Sequence, residues 1–291
     1  MSDAVSMQDI GFNAADSWPL AGTLYRGDVP QVAILISAGT GFPRRFYRHA
    51  ARYFAARGAV VLTFDFRGTG ESGAVDLAQS EIDYPDWGRL DMTAALETLE
   101  AAAPGLPLVQ LGHSAGGMFA GFMENHAKVV RHAFVSVGTG FWGAHHLWRI
   151  PMELFFWWGF GPWELARYGY IRGGGLWSGE ALPPKVFKTW RRWSQRRCYF
   201  KPDLEARRWP HYFDEVQAPI CAWVFEDDGI ATPKSARDTL RCYPAAQSSI
   251  AERSPKDFGV SRMGHEGAFR AGREALWAEI WDWLVQGATP R

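Results

Sequence analysis

The sequence predicts an α/β fold: a mostly parallel sheet, covered by helices on both faces and carrying one long insertion. Three observations predict it. The runs "VAILIS" (32–37), "AVVLTFD" (59–65), "PLVQL" (107–111), "HAFVSVG" (132–138) and "PICAWVFED" (219–227) are dominated by apolar residues, as expected of strands buried on both faces. Helix-period segments alternate with these runs, which is the pattern of parallel strands joined by crossover helices. The alternation then lapses from Gly138 to Pro219, a stretch with no evident strand.

Each helix has a local reason. In "RRFYRHAARYFAARG" (44–58), Phe46, Tyr47, Ala50, Tyr53 and Phe54 recur at helical spacing, and Gly58 is placed to end the helix. The segment 87–103 reads as a helix stopped by Pro104 and Gly105. A helix is expected over 115–127, directly after a glycine-rich turn. Another runs from about Pro233 to Arg241, with Thr232 as N-cap and Pro233 in the first turn. "QSSIAE" (247–252) is a weaker last strand, and 273–285 is a closing amphipathic helix. Residues 1–138 and 213–291 therefore form the core, and 139–212 the insertion. Nine of the fifteen tryptophans fall between Trp142 and Trp209, so the insertion also differs in composition.

Composition narrows the function. Lys plus Arg and Asp plus Glu are both 31 of 291 residues, and no basic tract stands out, so nucleic-acid binding is not expected. Cys198, Cys221 and Cys242 do not form a disulfide framework and read as reduced thiols. The N-terminus lacks an apolar signal core, and "LFFWWGFGPW" (154–163) is too short to span a bilayer, so a cytoplasmic location without an integral membrane segment is expected. No cofactor or metal site is expected.

The chemistry centres on "LGHSAGGM" (111–118). Gly112-His113-Ser114-Ala115-Gly116 fits Gly-x-Ser-x-Gly between a predicted strand and a predicted helix. In that context the serine sits on a tight turn, and its flanking glycines avoid steric clash. A serine hydroxyl needs a base, and the base needs an acid to orient it; behind this motif the expected chain order is serine, acid, histidine. In "VFEDDGIATP" the acid is Asp228, with Asp227 as the alternative. The base is His265, in "RMGHEGAF" on a late loop. His113 is expected to pack beside the turn. The oxyanion-binding amides are assigned to Ala115 and, in the turn "SAGTGFP", to Thr40, with Gly41 second.

"FDFRGTGES" (64–72), "GHSAGG" (112–117), "EDDGIATP" (226–233) and "GHEG" (264–267) resemble the α/β-hydrolase superfamily, over about residues 20–286. The chain is most similar to bacterial serine α/β-hydrolases with a helical cap. The resemblance implies an eight-stranded sheet, the insertion as cap, and structural roles for Asp65 and Arg67. The usual His-Gly ahead of the oxyanion loop is replaced by Ala38-Gly39.

The expected activity is serine-dependent cleavage of a carboxylic ester, an amide or a thioester in a small acyl substrate. Alternatives are an acyltransferase or cyclase with the same triad, and a non-catalytic ligand-binding module. Trp142, Trp148, Trp157, Trp158, Trp163, Trp177, Trp190 and Trp193 are expected to build the cap's core and, in part, an apolar pocket. Arg149, Arg167, Arg172, Arg191, Arg192, Arg196 and Arg197 are either a solvated face or include a carboxylate clamp. A further reading of "ELFFWWGF" is a lid that touches lipid. The oligomeric state, a homodimer included, is left open.

Overall fold

The computed structural model describes residues 5–73 and 76–290. Its sheet comprises β1 (Ser6–Asn13), β2 (Pro19–Arg26), β3 (Val32–Ser37), β4 (Ala59–Phe64), β5 (Leu108–His113), β6 (Val129–Val135), β7 (Ile220–Phe225) and β8 (Ser248–Arg253). The strand order is β1-β2-β4-β3-β5-β6-β7-β8. β1, β2 and β4 pair antiparallel, and every pair from β4–β3 to β7–β8 is parallel. Every residue of β3, β4, β5 and β7 is buried. β1 lies at the edge and is largely exposed, which explains why "SMQDIGFN" carries no apolar run.

The helices are α1 (Arg48–Ala56), α2 (Thr93–Ala102), α3 (Ala115–Met118), α4 (Ile150–Phe155), α5 (Gly161–Tyr168), α6 (Pro184–Ser194), α7 (Lys201–Glu205), α8 (Pro233–Leu240) and α9 (Glu274–Trp281). α1 and α9 pack together through Tyr53 on Trp277 and Phe54 on Trp281. α8 starts as expected, with the Thr232 hydroxyl accepting from the Ser235 amide. α9 is more buried than an amphipathic surface helix, with Leu276, Trp277, Ile280 and Trp281 all inside.

One expected helix is much shorter than predicted. The segment 115–127 is helical only over Ala115–Met118 and continues as a 3₁₀ turn at Ala120–Phe122. Gly116, Gly117 and Gly121 are weak helix formers. The Tyr243 hydroxyl also competes for this backbone, donating to the Met118 carbonyl at 2.7 Å and accepting from the Gly121 amide at 3.3 Å.

Segment 139–212 leaves the sheet after β6 and returns before β7, and it contains α4 to α7. Its interior is aromatic: Phe156 lies within ring-contact distance of Trp157, Trp177, Phe187 and Trp190. Because β3, β5, β6, β7 and β8 run parallel, the loops that follow them open on one edge of the sheet, and this segment departs from the same edge. Asp65 and Arg67 brace that edge. The Asp65 carboxylate accepts the Arg44 amide at 2.6 Å and the Glu71 amide at 3.1 Å, and Arg67 bonds Asp91 at 2.6 Å and Asp16 at 2.7 Å. No helix of the described residues is long and apolar enough to cross a membrane.

Candidate active site

Ser114 is the first residue beyond β5, at φ 49° and ψ −119°, a backbone region that is strained for any residue other than glycine. Its glycine neighbours explain how the turn holds. A Cβ on Gly112 would lie 2.3 Å from Gly117 Cα, and one on Gly116 would lie 2.2 Å from the Ser37 carbonyl oxygen. The obstructing atoms are backbone on both counts, so neither can step aside cheaply. The turn brings β3, β5 and α3 together more closely than side chains permit.

His265 Nε2 lies 3.0 Å from Ser114 Oγ. Its Nδ1 lies 2.9 Å and 3.1 Å from the two carboxylate oxygens of Asp228. A carboxylate only accepts, so Nδ1 carries the proton and Nε2 is left as the acceptor for the serine hydroxyl. Asp228 is fully buried and lies just past β7. Burial by itself would raise its pKa. The His265 ring and the Ile230 and Ala231 amides, which donate at 2.9 Å and 3.0 Å, instead bring it down to about 2.

Asp227 does something different. Its carboxylate accepts the Met263 and Gly264 amides, both at 2.9 Å, and so clamps the loop that carries His265. Adjacent carboxylates thus divide the work, one facing the ring and one the backbone behind it.

His113 is wholly buried. The Gly39 amide donates to the Tyr47 hydroxyl at 2.8 Å; that hydroxyl donates to His113 Nδ1 at 2.8 Å; His113 Nε2–H donates to the His265 carbonyl at 2.9 Å. Burial, reinforced by the neighbouring His265 ring, pushes His113 down to about 3, so this ring is neutral and suits one donor and one acceptor. Sequence reasoning placed His113 beside the turn but missed this network; the one available signal was a histidine next to the serine.

Thr40 lies three residues past β3 and is buried, with its hydroxyl bonded to that of Tyr84. The amides of Thr40 and Ala115 donate to no described residue. Gly41, at φ 81°, accepts from the Glu180 amide at 2.8 Å, and a Cβ there would lie 2.5 Å from Trp177. Segment 139–212 also reaches the acid: a Cβ on Gly229 would lie 2.4 Å from the Arg149 side chain and 3.0 Å from the Trp148 ring. Of the eight tryptophans singled out above, Trp157 and Trp193 are buried, Trp148, Trp158 and Trp163 exposed, and the others half-buried. No cluster of His, Cys, Asp and Glu able to hold a metal occurs among the described residues.

A serine after β5, an acid after β7 and a histidine after β8 thus meet at one edge of an eight-stranded, mostly parallel sheet. A family model described as serine aminopeptidase, S33, matches residues 28–163. The chain is an α/β-hydrolase-fold protein. Solved α/β-hydrolase-fold structures align along nearly its whole length. A soluble variant of monoglyceride lipase from Saccharomyces cerevisiae, in complex with a substrate analogue, aligns at TM-score 0.64 and 14% identity, covering 100% of this chain and 97% of that one. A highly thermostable carboxyl esterase from Bacillus coagulans, in complex with glycerol, aligns at 0.62 and 15% identity, covering 97% and 100%. An esterase from Pyrococcus furiosus aligns at 0.58 and 14% identity, covering 97% and 93%. No curated protein sequence matches the chain. At such identities the α/β-hydrolase fold is what is shared.

Proposed function

We propose that this protein is a serine hydrolase that cleaves a carboxylic ester of a small, largely apolar substrate. The observation that carries the reading is the continuous relay from Ser114 Oγ through His265 to Asp228. Ser114 Oγ attacks the ester carbonyl while His265 Nε2 takes its proton. The imidazolium that forms is stabilised by Asp228, whose low pKa keeps it ionised. The carbonyl oxygen becomes an oxyanion held by the amides of Thr40 and Ala115. His265 returns its proton to the leaving alkoxide, and an acyl-enzyme remains. Water, deprotonated by His265, then attacks the acyl carbon; collapse of that second oxyanion breaks the bond to Ser114 Oγ, which takes the proton back from His265 as the acid departs.

Residues 139–212 serve as the cap in this reading, over a core of 1–138 and 213–291. An apolar substrate is supported by the aromatic side chains around the oxyanion loop: Trp177 presses on Gly41, and Phe42 packs 5.0 Å from the His113 ring. The test is a series of p-nitrophenyl esters of increasing acyl length, assayed on wild type and Ser114→Ala, with fluorophosphonate labelling of both. Wild type is expected to label and turn over, and the variant to do neither, losing at least about 10³-fold in kcat. Undiminished esterase activity in Ser114→Ala overturns the reading.

A further inference from the structure

Residues 147–168 form one continuous helical rod: a 3₁₀ turn at Leu147–Arg149, then α4, a π-helical turn at Phe156–Phe160, and α5. A surface helix ordinarily turns its apolar stripe inward and its charges outward. This one reverses the second half of that rule. Trp148, Met152, Phe155, Trp158 and Trp163 are between 54% and 64% exposed. Glu153 and Glu164 are buried and paired, with Arg149 at 3.1 Å and Arg172 at 2.9 Å. Pro151 and Ala166 complete the outward face, on which Arg167 is the one exposed charge. Leu176, 77% exposed, extends the apolar surface across a groove of about 630 Å³ that Phe155 and Trp163 also line.

An apolar patch of this kind marks a surface that meets something other than water. Charge identifies the partner. Segment 139–212 holds twelve Lys and Arg against five Asp and Glu, so in a chain of zero net charge it carries +7 and the remainder −7. Arg191 stacks over Trp158 at 4.0 Å, and Arg149 over Trp148 at 5.5 Å, so guanidinium groups flank the aromatic rings. Arg167 on this face and Arg191 beside it form no ion pair with a described residue. Two copies of this face would oppose like charge, which disfavours a second chain as occupant. We infer that the outer face of residues 147–168 docks on an anionic lipid surface, its aromatic side chains entering the headgroup layer and its arginines meeting lipid phosphates.

Vesicle co-sedimentation tests this independently of any hydrolase activity. Wild type is expected to bind vesicles of phosphatidylglycerol mixed with phosphatidylcholine, and to bind pure phosphatidylcholine on the order of tenfold more weakly. Met152→Ser/Phe155→Ser/Trp163→Ser, in positions with little to lose from folding, should lower binding by about tenfold or more at unchanged circular dichroism. Should that variant misfold, quenching of wild-type tryptophan fluorescence by brominated phosphatidylglycerol reads the same contact. Failure of wild type to bind the anionic vesicles overturns the inference. Undiminished binding by a folded triple variant does so too, as does dimerisation in sedimentation velocity that the triple variant abolishes.

Discussion

The Tyr47 hydroxyl lies 2.8 Å from His113 Nδ1, and through His113 it reaches the backbone of His265. The same hydroxyl accepts from Gly39, at the entrance to the oxyanion loop. One buried tyrosine therefore joins the loop proposed to hold the substrate oxygen to the residue proposed to move the proton. Tyr47→Phe keeps the ring's packing and leaves the Gly39 amide and His113 Nδ1 without partners. It is expected to cost about 1–3 kcal/mol of stability and about tenfold in kcat, with little change in KM. Denaturant melts and steady-state kinetics on one ester check both; an unchanged kcat removes the network from the mechanism.

Asp227 and Asp228 can be told apart by neutral isosteres. Asp228→Asn presents the wrong hydrogen-bonding group to the ring and should lower kcat by about 10⁴-fold. Asp227→Asn keeps an acceptor for only one of the Met263 and Gly264 amides, which bond different oxygens, and should cost nearer tenfold. Larger loss at Asp227 than at Asp228 would reverse the assignment.

Gly116→Ala puts a methyl 2.2 Å from the Ser37 carbonyl oxygen and 2.5 Å from that of Ala38. Relief requires β3 and α3 to separate, at a cost of about 2–3 kcal/mol or more. The expected result is a lower urea midpoint together with lost fluorophosphonate labelling at Ser114. A variant as stable and as reactive as wild type contradicts the close packing of the turn.

Acid should destabilise the fold before it protonates Asp228. Burial lowers His113 and His132 to about 3 from an ordinary 6.5, so between those values the unfolded chain takes up protons that the folded chain refuses. Stability is therefore full above about pH 6.5 and declines as pH falls toward 3, by up to about 1.4 kcal/mol per pH unit for each histidine. Asp228, lowered to about 2 from 3.8, adds stability above the latter value that is lost between them on further acidification. His132 donates to Gln110 at 2.7 Å and makes no bond to Ser114, Asp228 or His265, so His132→Gln removes its histidine term and leaves that of His113. Urea midpoints from about pH 7 to about pH 4.5 should fall less steeply in that variant; parallel slopes refute the assignment.

Much of the candidate site was legible because Ser114 and Asp228 each lie just beyond a strand. The turn residues around Ser114 and Asp228 mark places where a buried strand ends, and parallel strands end on one edge; His265 lies on a loop well past the only partly buried β8 and was legible from its flanking glycines and its place after serine and acid in the chain. β1 was not legible, since an edge strand such as "SMQDIGFN" buries too little to need an apolar run, and neither was β2, an interior strand that is only partly buried and includes Gly22 and Thr23 among its buried positions. Nor was the Tyr47–His113–His265 chain, whose members are 66 and 152 residues apart and meet only once the sheet has formed. Hydropathy also does not separate Trp157, which is buried, from Trp158, which is not. The difference lies in which side of one helical rod each residue occupies.

Tyr84 holds the hydroxyl of Thr40, and its own ring packs on Trp190 and Trp193 of α6, at 5.9 Å and 5.6 Å. Anyone retargeting this protein by grafting residues 139–212 from a relative would therefore also reset the loop beneath. The portable unit for such an exchange includes Tyr84, and a chimera that leaves it facing a foreign α6 would lose rate before it gained any new selectivity.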